Sequence, residues 1–193
     1  MALLTGSKKI KTAVFISGSG SNLNSLIKFS KLKKSPISID LIITNNSKSK
    51  GLKFGKVFKI KKKIFNFKKK RLAEKQILFE LKKNKIDLVC LAGFMKILSK
   101  TFIKNFSGKI LNIHPSLLPK YKGLNTHQRA IANKDKHSGC TVHFVNSKLD
   151  SGKIILQKKV KILKKDTTDS LAKKILAQEH KLYPKAILKI FSL

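Results

Sequence analysis

Residues 112–119 read Asn-Ile-His-Pro-Ser-Leu-Leu-Pro, and further along the chain runs Leu149-Asp150-Ser151-Gly152. Side chains two apart on a strand share a face, so Asn112 and His114 emerge together where Pro115 ends the strand. An amide donor beside an imidazole at a strand end can hold a carbonyl oxygen as it becomes an oxyanion. A carboxylate near the imidazole, here Asp150, would keep the ring protonated. Asn112, His114 and Asp150 are therefore the candidate catalytic residues, for attack on a carbonyl that needs no metal. The same histidine also suits a hydrogen-bonded core position beside a turn, and Asp before Ser-Gly suits an ordinary turn. The elements around them must decide.

Those elements alternate in type. Thr12 to Ser17 is a nearly continuous apolar run that ends in Gly18-Ser19-Gly20-Ser21-Asn22, after which Leu23, Leu26 and Ile27 recur at helical spacing. That is strand, glycine loop, helix. Ser38 to Thr44 reads as a second strand, Val57 to Ile60 as a weak third, Lys68 to Asn84 as a long helix and Asp87 to Leu91 as a buried strand. Ser99 is placed to cap a short helix, Ile110 to Ile113 delivers Asn112 and His114, and Thr126 to Asn133 reads as helical. Cys140 to Val145 alternates as a strand does, with Ile154 to Val160 as its antiparallel or mixed partner. Asp166-Thr167-Thr168-Asp169 then opens a last helix carrying Leu171, Ile175, Leu182 and Leu188. Strands alternating with helices, buried strands without polar alternation and a first glycine loop predict one α/β domain over residues 1–193. Its sheet is mostly parallel and doubly wound, Rossmann-like in type.

Two loops of such a sheet invite ligands. Gly20, Ser21 and Asn22 open a helix, where free backbone N–H groups and the helix dipole favour an anion. The third glycine of a dinucleotide fingerprint would fall at Leu23, and no lysine follows as in a phosphate-binding P-loop. One phosphate monoester is the expected ligand; a tight turn without a ligand is the alternative. Ala92 to Leu98 leaves the C-terminal end of a buried strand, where open α/β sheets bind ligands. Its apolar Phe94-Met95-Lys96-Ile97-Leu98 run can wall a flat aromatic pocket or belong to the core.

The formal charge of +35, from 44 Lys plus Arg against 9 Asp plus Glu, would ordinarily suggest a nucleic-acid or anionic-membrane partner. Here the lysines spread along the whole chain and the only arginines are Arg71 and Arg129. Nucleic-acid readers favour the bidentate fork of arginine. Abundant Lys, Ile, Asn and Phe without Trp is what drift toward A- and T-rich codons produces, so a solvated lysine surface with no specific nucleic-acid role is expected. Cys90 and Cys140 give neither a disulfide framework nor metal spacing. No apolar run is long enough to span a bilayer, and Met1 to Gly6 is too short for a signal core. A soluble cytoplasmic protein is the expectation, with monomer and homodimer both open.

Taken in order, Gly18-Ser19-Gly20-Ser21-Asn22-Leu23, Leu91-Ala92-Gly93-Phe94-Met95, Asn112 to Pro119, Gly139-Cys140-Thr141-Val142-His143-Phe144-Val145 and Asp150-Ser151-Gly152 closely resemble the phosphoribosylglycinamide formyltransferases, folate-dependent enzymes of purine synthesis. The similarity runs from Lys11 to Phe191. It implies transfer of a formyl group from 10-formyltetrahydrofolate, as co-substrate, to the amine of glycinamide ribonucleotide. By this resemblance Gly20, Ser21 and Asn22 bind the ribonucleotide phosphate, and Glu179 touches the ribonucleotide. Lys70, Met95, Lys96, Ile97, Leu98, Asn112 and Val145 contribute to the folate pocket, and Asn112, His114 and Asp150 do the chemistry. The chain departs from the pattern in three places. Lys70 stands where the family has an arginine, Gln128-Arg129 reverses the commoner order, and the sequence ends at Leu193 where many relatives carry a further tail.

Two relatives share the chemistry. Formyltetrahydrofolate hydrolases carry the same trio but normally add a regulatory domain before the first strand, and methionyl-tRNA formyltransferases add an RNA-contacting domain after the catalytic one. Neither addition is expected from this sequence. A basic nucleic-acid-binding module is the reading from a different class, and it gives no reason for Asn112, His114 and Asp150 to occur together.

Overall fold

The protein was analysed as a computed structural model that describes residues 9–191. The readings placed on Met1 to Gly6 and on the chain end at Leu193 lie outside those residues. Seven strands form one sheet: β1 (Ile10–Ile16), β2 (Ile37–Thr44), β3 (Lys61–Ile64), β4 (Leu88–Leu91), β5 (Lys109–His114), β6 (His137–Phe144) and β7 (Ile154–Lys161). Their order is β3-β2-β1-β4-β5-β6-β7. The first five run parallel, while β6 is antiparallel to β5 and β7 antiparallel to β6. The order reverses between β1 and β4, and this switch point is where the loops diverge and leave a crevice.

Both faces of the sheet are covered, which explains why its central strands lack polar alternation. Val14, Ile16, Cys90 and Leu111 face one core with helices α1 (Ser21–Ser30) and α6 (Thr168–Phe191). Ala13, Phe15, Val89 and Ile110 face the other with α3 (Lys70–Lys83) and α4 (Lys100–Asn105). Adjacent residues thus serve opposite layers, as the period of two requires. Ser99 caps α4 by accepting from the Phe102 N–H, as expected for a serine at that position. Tyr183 in α6 is fully buried and donates toward the carbonyls of Leu91 and Leu111, each at 3.1 Å. It pins the helix over the ends of β4 and β5, and Glu179, one turn earlier, consequently hangs over the crevice.

The weak third strand expected at Val57 to Ile60 is instead the end of a helix, α2 (Leu52–Val57), and the turn that follows it, with β3 starting only at Lys61 (Lys61–Ile64). Phe54 and Phe58 stack with ring centroids 6.4 Å apart, and Gly55 accepts from the Ile60 N–H to close the turn into β3. β3 is an edge strand whose side chains are mostly exposed. Lys61 and Lys63 pair with Glu80 of α3 at 3.6 and 3.1 Å, and a row of three lysines deters further strand pairing.

Candidate active site

The crevice begins where β1 ends. Gly20, with φ of +75°, adopts the left-handed conformation that turns the chain into α1, and no side chain caps the helix. A β-carbon at Gly20 would lie 2.6 Å from the Cα of Gly51, whose N–H donates to the Gly18 carbonyl. Backbone therefore packs on backbone, and only glycine fits. Gly20→Ala should cost about 1–3 kcal/mol in urea unfolding; an unchanged midpoint would contradict this packing. Asn22, in the first turn of α1, donates its side-chain amide to the Glu179 carboxylate at 2.6 Å.

Strand β5 carries Asn112 and ends at His114, as the alternation requires, and its register sets Asn112 opposite His143 on β6. Asp150 comes from the turn between β6 and β7, at φ of +44°, a region that Asp tolerates better than most residues. Gly152 lets this turn lie flat on β6, because a β-carbon there would sit 1.7 Å from the Phe144 carbonyl oxygen. The turn delivers the carboxylate beneath both histidines. Asp150 Oδ2 is 3.4 Å from His114 Nδ1 and Oδ1 is 3.7 Å from His143 Nε2. Asn112 Nδ2 approaches Asp150 Oδ1 at 3.4 Å and His143 Nε2 at 3.2 Å. The expected trio is thus assembled.

Carbonyl partners determine which ring nitrogens carry protons, because a carbonyl oxygen can only accept. His114 Nε2 lies 2.9 Å from the Tyr121 carbonyl and must be its donor. The second ring nitrogen, Nδ1, is the one left facing Asp150. His143 Nδ1 lies 2.8 Å from the Phe144 carbonyl, so in the neutral ring Nε2 accepts from Asn112. Burial holds the His143 pKa below its ordinary value, against the opposing pull of the Phe144 carbonyl and of Asp150. His143 therefore orients the Asn112 amide. One amide hydrogen is committed to it, and the other meets Asp150 only at the long distance of 3.4 Å, where an incoming oxygen can capture it.

A cleft of about 580 Å³ runs past these groups. Asn22 and Glu179 line one part, the trio lines another, and Met95, Lys96, Ile97, Leu98 and Val145 form an apolar wall with Leu124 and Leu149. Met95 and Ile97 are 62% and 63% exposed, while Leu98 also belongs to the core beneath. The two readings of that loop are therefore both realised, in different residues. Gly20 and Ser21 stand beside Asn22 at the helix start without lining the cleft. Lys70 stands apart from these residues. It opens α3, lies 4.0 Å from Glu74 one turn on, and borders a separate shallow depression with Lys69, Arg71 and Lys75. Its flexible stem leans along its own helix, and it does not line the cleft.

Sequence reasoning missed His143 and the segment around Gly123, whose N–H donates to Asp150 Oδ2 at 2.9 Å. The spacing of Thr141 and His143 marked one strand face, but only the register with β5 brings that face to Asn112.

Burial raises the Glu179 carboxyl pKa above its ordinary value, opposed in part by the Asn22 amide. A raised folded-state pKa means stability that is complete below the unfolded value and lost as pH rises through the folded one. Glu179→Gln has no charge to desolvate and still accepts from Asn22. It should be more stable than the parent near about pH 8 and should show no such gain near about pH 4, where both side chains are neutral. Equal gains at both pH values in urea unfolding would contradict the assignment.

Residues 10–187 match the formyl transferase family model. The phosphoribosylglycinamide formyltransferase of Haemophilus influenzae is 43% identical over 180 residues, covering 92% of this chain and 85% of the relative. The trifunctional purine biosynthetic protein adenosine-3 of Homo sapiens is 42% identical over 188 residues, 96% of this chain; the chain spans only 19% of that protein's length. Among solved structures, phosphoribosylglycinamide formyltransferase from Brucella melitensis superposes with a TM-score of 0.89 at 41% identity, covering 95% of this chain and 96% of that one. The Anaplasma phagocytophilum enzyme gives 0.88 at 43% identity, with 93% and 85% covered. By sequence and by fold, the chain belongs to the formyl transferase family and groups within it with the phosphoribosylglycinamide formyltransferases.

Proposed function

We propose that this chain transfers the formyl group of 10-formyltetrahydrofolate to the amine of glycinamide ribonucleotide, giving the N-formyl product and tetrahydrofolate. The observation that carries this reading is the continuity of one cleft, from the start of α1 through the Asn112, His114 and Asp150 cluster to an apolar wall. An anionic, amine-bearing substrate suits the first end and a flat ring system suits the second. Gly20, Ser21 and Asn22 offer the phosphate the free N–H groups of a helix start, and Glu179 faces the polar part of the ribonucleotide. Lys96 and Lys148 on the cleft lining suit the carboxylates of a folate tail.

The folate supplies the formyl group; the residues stabilise its transfer. As the amine nitrogen bonds to the formyl carbon, the formyl oxygen gains negative charge. Asn112 turns its loosely held amide hydrogen from Asp150 to that oxygen, and a protonated His114 donates from Nδ1. Asp150 holds the proton on His114 and, directly or through water, takes the proton leaving the amine toward the folate nitrogen whose bond to the formyl carbon breaks.

The test is tetrahydrofolate release followed spectroscopically with the folate alone and after adding the ribonucleotide. Release only with the ribonucleotide supports transfer. Equal release without it assigns a hydrolase instead. A protein working on these metabolites is expected in the cytoplasm, and among the described residues no helix is long and apolar enough to cross a membrane.

A further inference from the structure

We propose that Arg129 is a positioning residue for this reaction, bracing the segment Tyr121 to Asn125 so that its backbone fixes both His114 and Asp150. The inference rests on the function proposed above for that site. The segment has a catalytic side: the Tyr121 carbonyl accepts a hydrogen bond from His114 Nε2–H at 2.9 Å, and the Gly123 N–H donates to Asp150 Oδ2 at 2.9 Å. It is also a strained stretch of chain. Tyr121, Gly123 and Asn125 all have positive φ, at +55°, +79° and +58°. Left-handed backbone at non-glycine residues persists only where its surroundings impose it.

Arg129 supplies that constraint from the outer side, on helix α5 (Thr126–Ala132). Its Nη1 donates to the Lys122 carbonyl at 2.8 Å and leans toward the Leu124 carbonyl at 3.4 Å. The guanidinium also covers the Tyr121 ring, 4.9 Å from its centroid. The far end of Tyr121 is tied as well, its hydroxyl donating to Asp135 and accepting from Asn133. A planar, delocalised cation can stack and donate in its plane together; a lysine cannot. Arg129 itself does not line the cleft, whereas its neighbour Gln128 does. Successive helix positions point about 100° apart, so the Gln128-Arg129 order puts the amide at the cleft and the guanidinium behind the segment.

Arg129→Lys and Tyr121→Phe test the brace. Long-range proton–nitrogen spectra of the ligand-free protein, with His114→Asn to assign the signals, read which ring nitrogen carries the proton. At a pH high enough to neutralise the ring, the parent should show His114 protonated at Nε2 alone, and Arg129→Lys should show a mixture of tautomers. In steady state kcat should fall roughly tenfold to a hundredfold while both KM values stay within about threefold. Tyr121→Phe should give the same signature in weaker form. A kcat near that of the parent, or a fall in kcat with the tautomer unchanged in both variants, would overturn the proposal. If the parent itself transfers no formyl group, the functional reading fails while the spectra still decide whether the brace exists.

Discussion

Asp150→Asn should lower kcat by roughly a hundredfold to ten-thousandfold with little loss of stability. The amide keeps the size of the carboxylate, tolerates the left-handed backbone at φ of +44°, and can still accept from the Gly123 N–H. What it loses is charge. His114 then has no anion 3.4 Å from Nδ1 to hold a proton there, and the path between the two nitrogens loses its base. An Asp150 that merely completes a turn gives a different result, namely kcat near the parent value, or activity that returns when the variant is stabilised by lower temperature. Melting curves collected beside the kinetics separate the cases.

Asn112→Ala should lower kcat and kcat/KM together by roughly a hundredfold to a thousandfold, as expected when a donor to a developing oxyanion is removed. The amide is well placed because its other hydrogen bonds to His143 Nε2 at 3.2 Å. Loss confined to KM would assign Asn112 to ground-state binding instead. Because His143 acts through Asn112, a His143→Ala change combined with Asn112→Ala should add little to the single change.

Local signals carried much of this account. The glycine loop at Gly18 to Asn22, the buried runs in β1, β2 and β4, and the two-residue spacing of Asn112 and His114 follow from period and turn chemistry, which neighbouring residues alone express. The fold class followed from their alternation. β3 was misplaced because an edge strand of lysines satisfies its backbone without showing an apolar face, so its pairing with Leu41 to Thr44 leaves no pattern to read. Lys70, named by resemblance of position, lies at the start of α3 beside Glu74 and apart from the cleft lining. The role of His143 depends on the register between β5 and β6, and that of Arg129 on carbonyls in a strained loop. Both are contacts of tertiary structure, and no spacing along the chain encodes them.

The most direct measurement follows the formyl carbon itself. The protein is mixed with 10-formyltetrahydrofolate labelled in that carbon and with glycinamide ribonucleotide, and the products are separated after a single turnover. The expected result is one label in the new amide of the ribonucleotide for each tetrahydrofolate released, with the label staying on the folate when Asp150→Asn replaces the parent. Label recovered as free formate, or a labelled amide formed equally well by Asp150→Asn, would contradict catalysis of transfer by the Asn112, His114 and Asp150 cluster.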